Sequence, residues 1–129
     1  MDLPMKGLKA LVVALIAAGL LVGALPAAAA EAKAYKKYVG CGVSRNAKPK
    51  HKCPKRSKKG AFFKSFQRDV RYTVCVRFPS RKSLCAKGQK AKKGTLYVNK
   101  ITSTDVGKHK VTWWVKGKKV GTYYFRVKA

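Results

Sequence analysis

The sequence predicts an all-β protein, an antiparallel sandwich of short strands following a cleavable export signal. Three observations carry that expectation. From residue 61 onward, short runs of β-branched and aromatic residues recur at roughly ten-residue spacing, each bounded by turn-forming residues. No helical periodicity survives past the first thirty residues. The four cysteines, Cys41, Cys53, Cys75 and Cys85, all lie beyond that leader, an even count of the kind that oxidising compartments turn into disulfides.

The leader reads MDLPMKGLKALVVALIAAGLLVGALPAAAAEAK, with Lys6 and Lys9 ahead of an unbroken apolar run over 10–25, then Pro26 and four alanines. That is the layout of a secretory signal peptide over 1–30, with cleavage after Ala30 from the small residues Ala28 and Ala30. An uncleaved anchor is the alternative, since 10–30 is just long enough to span a bilayer. Pro26 and the alanine tract favour cleavage. No twin-arginine pair precedes the run and no cysteine closely follows it. A secreted product with no stable membrane span is expected.

The chain has 31 Lys+Arg against four Asp+Glu, a formal net charge of +27. Setting aside 1–30 removes Lys6, Lys9 and Asp2, which leaves +26 over 99 residues, enough for one modest core. Charge of that density repels itself and makes a strong attractive field for polyanions. Outside a cell the partners it suits are anionic polymers and cell-wall components, with released nucleic acid as a non-specific ligand. The competing reading is charge for solubility, for which a net magnitude of about 2–8 suffices in a small domain.

Residues 31–60, EAKAYKKYVGCGVSRNAKPKHKCPKRSKKG, lack sustained apolar periodicity and read as a basic arm ordered by a cysteine loop. Its cations, Arg45, Lys48, Lys50, Lys52, Lys55, Arg56, Lys58 and Lys59, form either a solvated tail or a polyanion-binding strip. Three disulfide connectivities are possible, and nearest-neighbour pairing, Cys41 with Cys53 and Cys75 with Cys85, is expected. Each closes a short loop, contributing about 3 kcal/mol in the chain-entropy account. A metal site on His51 and Cys53 is the weaker alternative, because H-x-C lacks a paired C-x-x-C. No metal and no cofactor is expected.

Residues 61–129 are expected to form the sandwich itself. AFFKSF is one strand. In VRYTVCVRF, over 70–78, Val70, Tyr72, Val74, Val76 and Phe78 share one face, and Arg71, Thr73, Cys75 and Arg77 the other. Pro79 and Ser80 turn the chain and SLCAK returns, which sets Cys75 opposite Cys85. TLYVNKI is expected to give Leu96 and Val98 to the core. In the closing stretch Val111, Trp113 and Val115 point inward with Tyr123, Phe125 and Val127. Matching those two sets requires an odd-length connection or a bulge near Val120 and Gly121. Trp114 and Tyr124 then stand outward among Arg71, Lys110 and Arg126, a cationic plane with two aromatics suited to sugar rings or unstacked bases. The competing reading is cation–π packing, or coverage of Trp114 by the arm.

DVGKHKV, with Asp105, Gly107 and His109, resembles the D-x-G-x-Y corner of immunoglobulin-like domains, His109 standing where the family has tyrosine. The tail, VTWWV then KGKK then VGTYYFRV, is similar to the closing hairpin of small immunoglobulin-like domains in exported bacterial proteins. The resemblance covers 61–129 and implies the immunoglobulin-like sandwich. It implies no function, because that fold hosts adhesion, ligand binding and plain spacing.

Catalytic chemistry finds little here. Glycoside hydrolysis requires two flanking carboxyls, and past residue 30 there are only Glu31, Asp69 and Asp105. G-x-S-x-G and H-E-x-x-H are absent. A ribonuclease-like pair would require His51 and His109 in one cleft. Membrane-active toxicity lacks an amphipathic helix. The expectation is a non-enzymatic exported domain that binds anionic polymers, with no small-molecule substrate. The alternative is a passive structural or interaction domain without a dedicated site.

Overall fold

Alternation of apolar and polar residues along the chain becomes two facing sheets. The structure, a computed structural model, describes residues 33–129. The expected signal peptide and its cleavage site lie outside the described residues. Among the described residues the strands are β1 (Tyr35–Gly40), β2 (Lys52–Pro54), β3 (Lys59–Ser65), β4 (Val70–Arg77), β5 (Ser83–Ala91), β6 (Leu96–Ile101), β7 (Gly107–Val115) and β8 (Lys118–Lys128). One sheet has the order β1-β3-β6 and the other β2-β8-β7-β4-β5. All pairings are antiparallel except β2 with β8.

The basic arm expected over 31–60 is not a separate piece. Residues 34–129 form one unit, and 34–60 supplies the first strand of one sheet, the edge strand of the other and the start of β3. Periodicity was hidden because β1 is short and its pattern, YKKYVG, puts lysine on the inner face: Tyr35 and Val39 enter the core while Lys37 lies between them, half-buried. β2 is only three residues long and shows a single inward side chain, Cys53. The Cys41–Cys53 bridge links the end of β1 to β2 and so ties one sheet to the other, with Cα atoms 5.4 Å apart.

Across the interface Phe63 of β3 stacks on Tyr72 of β4 at 4.2 Å, and Tyr72 donates its hydroxyl to Asn99 Oδ1 at 2.5 Å. Burial, with Tyr97 nearby, pushes the Tyr72 phenol up to about 12, so it remains a donor at any physiological pH. Trp113 is fully buried, and its indole Nε1 is an unpaired buried donor among the described residues. On β6 the inward set is not the expected Leu96 and Val98. Ala61 pairs with Asn99, Phe63 with Tyr97 and Lys59 with Ile101, so Tyr97, Asn99 and Ile101 face the core. The alternation allowed either choice. Asn99 is tolerated inside because it accepts from Tyr72 and donates to Gln89 Oε1.

Of the two expected ways of matching the faces of the closing hairpin, an odd-length connection or a bulge, the structure has the bulge. Trp113 pairs with Gly121 and Trp114 with Lys119, so Val120 is the extra residue. Lys116 and Gly117 make the two-residue turn, both at positive φ (53° and 76°), as a type I′ connection requires. Gly121 leaves room for the stem of Lys37 from β1, since a Cβ there would lie 2.5 Å from Lys37 Cε. On the other hairpin Cys75 and Cys85 are direct cross-strand partners, joined as expected, with Cα atoms 4.0 Å apart on the outer face. Three strands facing five leave part of β5 uncovered: Leu84 is 65% exposed beside a hollow of ≈ 240 Å³ shared with Val76, Phe78 and Ile101.

The two bridges close loops of nearly equal length, 12 and 10 residues, so chain entropy gives each about 3 kcal/mol. Only Cys53 is fully buried. Replacing Cys41 and Cys53 together by alanine is expected to cost about 1 kcal/mol more than replacing Cys75 and Cys85, for the packing lost at Cys53. Urea denaturation of the two double variants checks that order, and equal losses would rule out the packing contribution.

Candidate anion-binding face

Strand register sets the outward residues of the five-stranded sheet in rows. Lys52 of β2 lies beside Arg126 of β8, which lies beside Lys108 of β7. The next row is Tyr124, Lys110 and Arg77, running on to Ser83 of β5. Below it come Thr122, Thr112 and the Cys75–Cys85 bridge, then Lys119, Trp114 and Thr73. Arg71, paired with Lys90, closes the far end of the same face. Within a strand, outward residues are about 6.8 Å apart, and neighbouring strands lie about 4.8 Å apart. The fold thus brings the predicted Arg71, Lys110, Trp114, Tyr124 and Arg126 to one surface. Lys52, expected in a separate arm, joins them through β2. Arg77, Lys108 and Lys119 complete the face; the period-two pattern could have named Arg77 and Lys108, which share its outward phase, whereas Lys119 reaches the face only across the bulge at Val120.

The two aromatics differ. Lys108 Nζ sits 4.5 Å from the centroid of Tyr124, covering a ring whose residue is 45% exposed. Trp114 is half-buried and lines a hollow of ≈ 190 Å³ with Cys75, Arg77, Ser83, Lys110, Thr112 and Lys119. Among the described residues, none of 33–60 lines that hollow.

The remaining predicted cations are exposed but dispersed. Arg45 and Lys48 lie in the loop between β1 and β2, which packs over the outer face of the three-stranded sheet: a Cβ on Gly40 would meet Ala47 Cβ and the Lys48 carbonyl at 3.1 Å. Lys55, Arg56 and Lys58 surround the turn between β2 and β3. Lys50 and His51 dock on β8: Tyr123 donates its hydroxyl to the Lys50 carbonyl at 3.1 Å, and the His51 ring stacks on Tyr123 at 4.4 Å. His51 Nδ1–H donates to the Tyr124 carbonyl at 2.7 Å, and Arg126 N–H to the His51 carbonyl at 2.8 Å. With Cys53 bridged, its sulfur is no thiolate ligand beside His51.

Lys59 is a correction. Its side chain points inward and is 1% exposed. Its ammonium donates to the carbonyls of Lys55 (3.1 Å), Ser57 (2.7 Å) and Ser103 (3.2 Å), using all three protons, and burial pulls its pKa down. It holds the end of the sandwich together and offers nothing to a ligand. Sequence placed it with its neighbours because a lysine that ends a basic run has no mark of an inward phase.

Beside it is the corner at His109. The ring is fully buried, stacked on Phe125 at 4.7 Å and edge-on to Phe78 at 5.6 Å. Its Nδ1 faces the Gly107 carbonyl at 3.0 Å, which can only accept, so Nδ1 carries the proton. Nε2 therefore accepts from the Ser103 hydroxyl at 2.8 Å, and Ser103 Oγ accepts the Asp105 N–H at 3.3 Å. Both ring nitrogens are engaged within the protein.

These sheets and this corner define an immunoglobulin-like β-sandwich. No family model matches the sequence, and no curated protein matches it. In structure the chain is similar to an immunoglobulin-like protein from Pseudomonas aeruginosa, at TM-score 0.51 and 12% identity over 73% of this chain and 91% of that one. A weaker likeness, TM-score 0.38 at 12% identity, is to the alkylpurine DNA glycosylase AlkC of Pseudomonas fluorescens bound to DNA with an abasic site analog; it covers 61% of this chain and 28% of that one. At this identity the first likeness is one of fold. Two disulfides in an immunoglobulin-like sandwich fit an extracellular protein.

Burial lowers the His109 pKa from 6.5, with Lys59 adding to the effect, while the Gly107 carbonyl and Asp105 oppose it. Between that lowered value and 6.5 the unfolded chain binds more protons than the folded one. Stability is therefore complete above 6.5 and falls as pH drops through the folded value. His109→Gln, which does not titrate, is expected to lose this component. Chemical denaturation of wild type and variant at pH 7.5 and 5 checks it; the same acid loss in both would show that His109 is not its source.

Proposed function

We propose that this chain is a secreted, non-enzymatic domain that binds anionic polymers of the cell wall or extracellular space. The observation that supports the reading is the outer face of the five-stranded sheet. There Lys52, Arg126, Lys108, Lys110 and Arg77 stand in cross-strand register. The only carboxylate side chains among the described residues, Asp69 and Asp105, lie outside the strands. Like charges placed directly opposite one another destabilise a sheet. A surface that keeps several such pairs is relieved when a polyanion lies on it, each docked anionic group releasing counterions. The exposed cations from Arg45 to Lys58 widen the attractive field and steer encounter.

Because residues 34–60 are strands of both sheets, deleting them would unfold the sandwich, and the test rests on substitutions. Retention on a sulfated polysaccharide and on poly(glycerol phosphate), measured against salt, is expected to weaken steeply as salt rises. Lys108, Lys110 and Arg126 changed together to glutamine should reduce the slope of log affinity against log salt by roughly 2, taking about 0.7 per lost contact. Lys59→Gln should leave the slope unchanged. Retention that is weak at low salt and equal in all three proteins would indicate a passive spacer domain instead.

A further inference from the structure

We infer that the hollow over the Cys75–Cys85 bridge is a subsite for a single anionic sugar residue, a uronate or sulfated ring within the polymer; the inference rests on the polyanion reading above. The hollow has two unlike ends. Lys110, Thr112 and Trp114 follow one another at alternate positions along β7, so the cationic end and the indole are about 13 Å apart between Cα atoms. Arg77, the direct cross-strand partner of Lys110, doubles the charge at one end. At the other, Trp114 is flanked by Lys119 and Thr73. Thr112 and Cys75 form the floor, and Ser83 lies at the cationic end. An open hollow of ≈ 190 Å³ between those ends has room for one ring with its charged substituent.

The chemistry of the lining selects the ligand. A pyranose presents a C–H face that packs on an indole, hydroxyls that pair with the Thr112 and Ser83 hydroxyls, and, in a uronate or sulfated sugar, an anionic group one ring-width away for Arg77 and Lys110. The guanidinium of Arg77 can take a carboxylate or sulfate by two parallel hydrogen bonds. A bare polyphosphate would satisfy the cations and leave the indole and hydroxyls idle. Single-stranded nucleic acid is gripped by a succession of stacking platforms. The described face has two aromatics, Trp114 and Tyr124, and Tyr124 already has Lys108 Nζ 4.5 Å from its centroid, so it offers no long succession of platforms.

The test compares polygalacturonate, long-chain polyphosphate and poly(dT) as probes of wild-type protein, Trp114→Ala and Thr112→Val, with affinities taken at several salt concentrations. Trp114→Ala is expected to weaken polygalacturonate binding about tenfold at an unchanged salt slope, and to leave polyphosphate binding within twofold. Thr112→Val, close to isosteric, is expected to lose about threefold on polygalacturonate alone, which keeps the test informative if the tryptophan variant folds poorly. Equal losses on polygalacturonate and polyphosphate, or none on either, would overturn the subsite while leaving the polyanion reading intact. A larger loss on poly(dT) than on polygalacturonate would assign the indole to a base and overturn it likewise. A wild type that shows no salt-dependent binding to any probe defeats both readings together.

Discussion

Everything outside this sandwich depends on the seam inside it, where Phe63, Tyr72, Trp113 and Phe125 hold two sheets together against the repulsion of their own surfaces. The cations among the described residues stand against two carboxylates, so ion pairing cannot offset their mutual field. Burial of aromatic and aliphatic surface must do so, and in a domain of this size the surplus is small. The two disulfides act where the core is least able to help. One joins the sheets at the β1–β2 crossing. The other pins the outermost strand, β5, whose inner face the shorter sheet fails to cover.

How far this was legible in the sequence depended on how long each strand is. β4 repeats its alternation over eight residues, β7 over nine, and β8, eleven residues long, from Gly121 to its end. Their faces could be read directly, which narrowed the hairpin to an odd-length connection or a bulge near Val120 and Gly121 and favoured the Cys75–Cys85 pairing among three connectivities. β2 is three residues long, too short to show a period at all, and its place beside β8 follows from tertiary packing: the Cys53 bridge, the His51 stack on Tyr123 and the backbone bond from Arg126. β6 failed for a different reason. Both of its faces contain apolar residues, and the choice between them lies in partners for Asn99 on other strands, Tyr72 of β4 and Gln89 of β5, which are 27 and 10 residues away. Of the candidate site, the plane on β7 and β8 was visible in phase and composition. Its extension through Lys52 required β2.

Lys59 and His109 show what composition conceals. Both are ionisable, and both were read with their neighbours or their family positions. In the structure they meet at the closed end of the sandwich through Ser103, whose carbonyl accepts from Lys59 and whose hydroxyl donates to His109. A buried ammonium beside a buried imidazole is compatible with folding only if the imidazole is neutral. Burial holds it neutral, against the pull of the Gly107 carbonyl, which fixes only the tautomer by accepting from Nδ1–H and leaving Nε2 to accept. Histidine thus fills the place that tyrosine holds in the related corner, tying strand to preceding loop, and it makes the tie sensitive to acid where a phenol would not.

Charge on a rigid sheet differs in kind from charge on a loop. The cations around Arg45 and Lys55 stand on loops, exposed and apart from the ladder, so they contribute mainly long-range attraction, which salt screens. Those on β7 and β8 are held at fixed spacings by the ladder and surrender only side-chain rotamers on binding. On the proposed reading, the sheet therefore discriminates by spacing and by what lies between the charges. The interruption of the cationic rows by Thr112, Thr122 and Trp114 matters for that reason. A surface selected for solubility alone has no use for an indole and a band of hydroxyls at its centre, each of which lowers the density of charge where the field would otherwise be strongest.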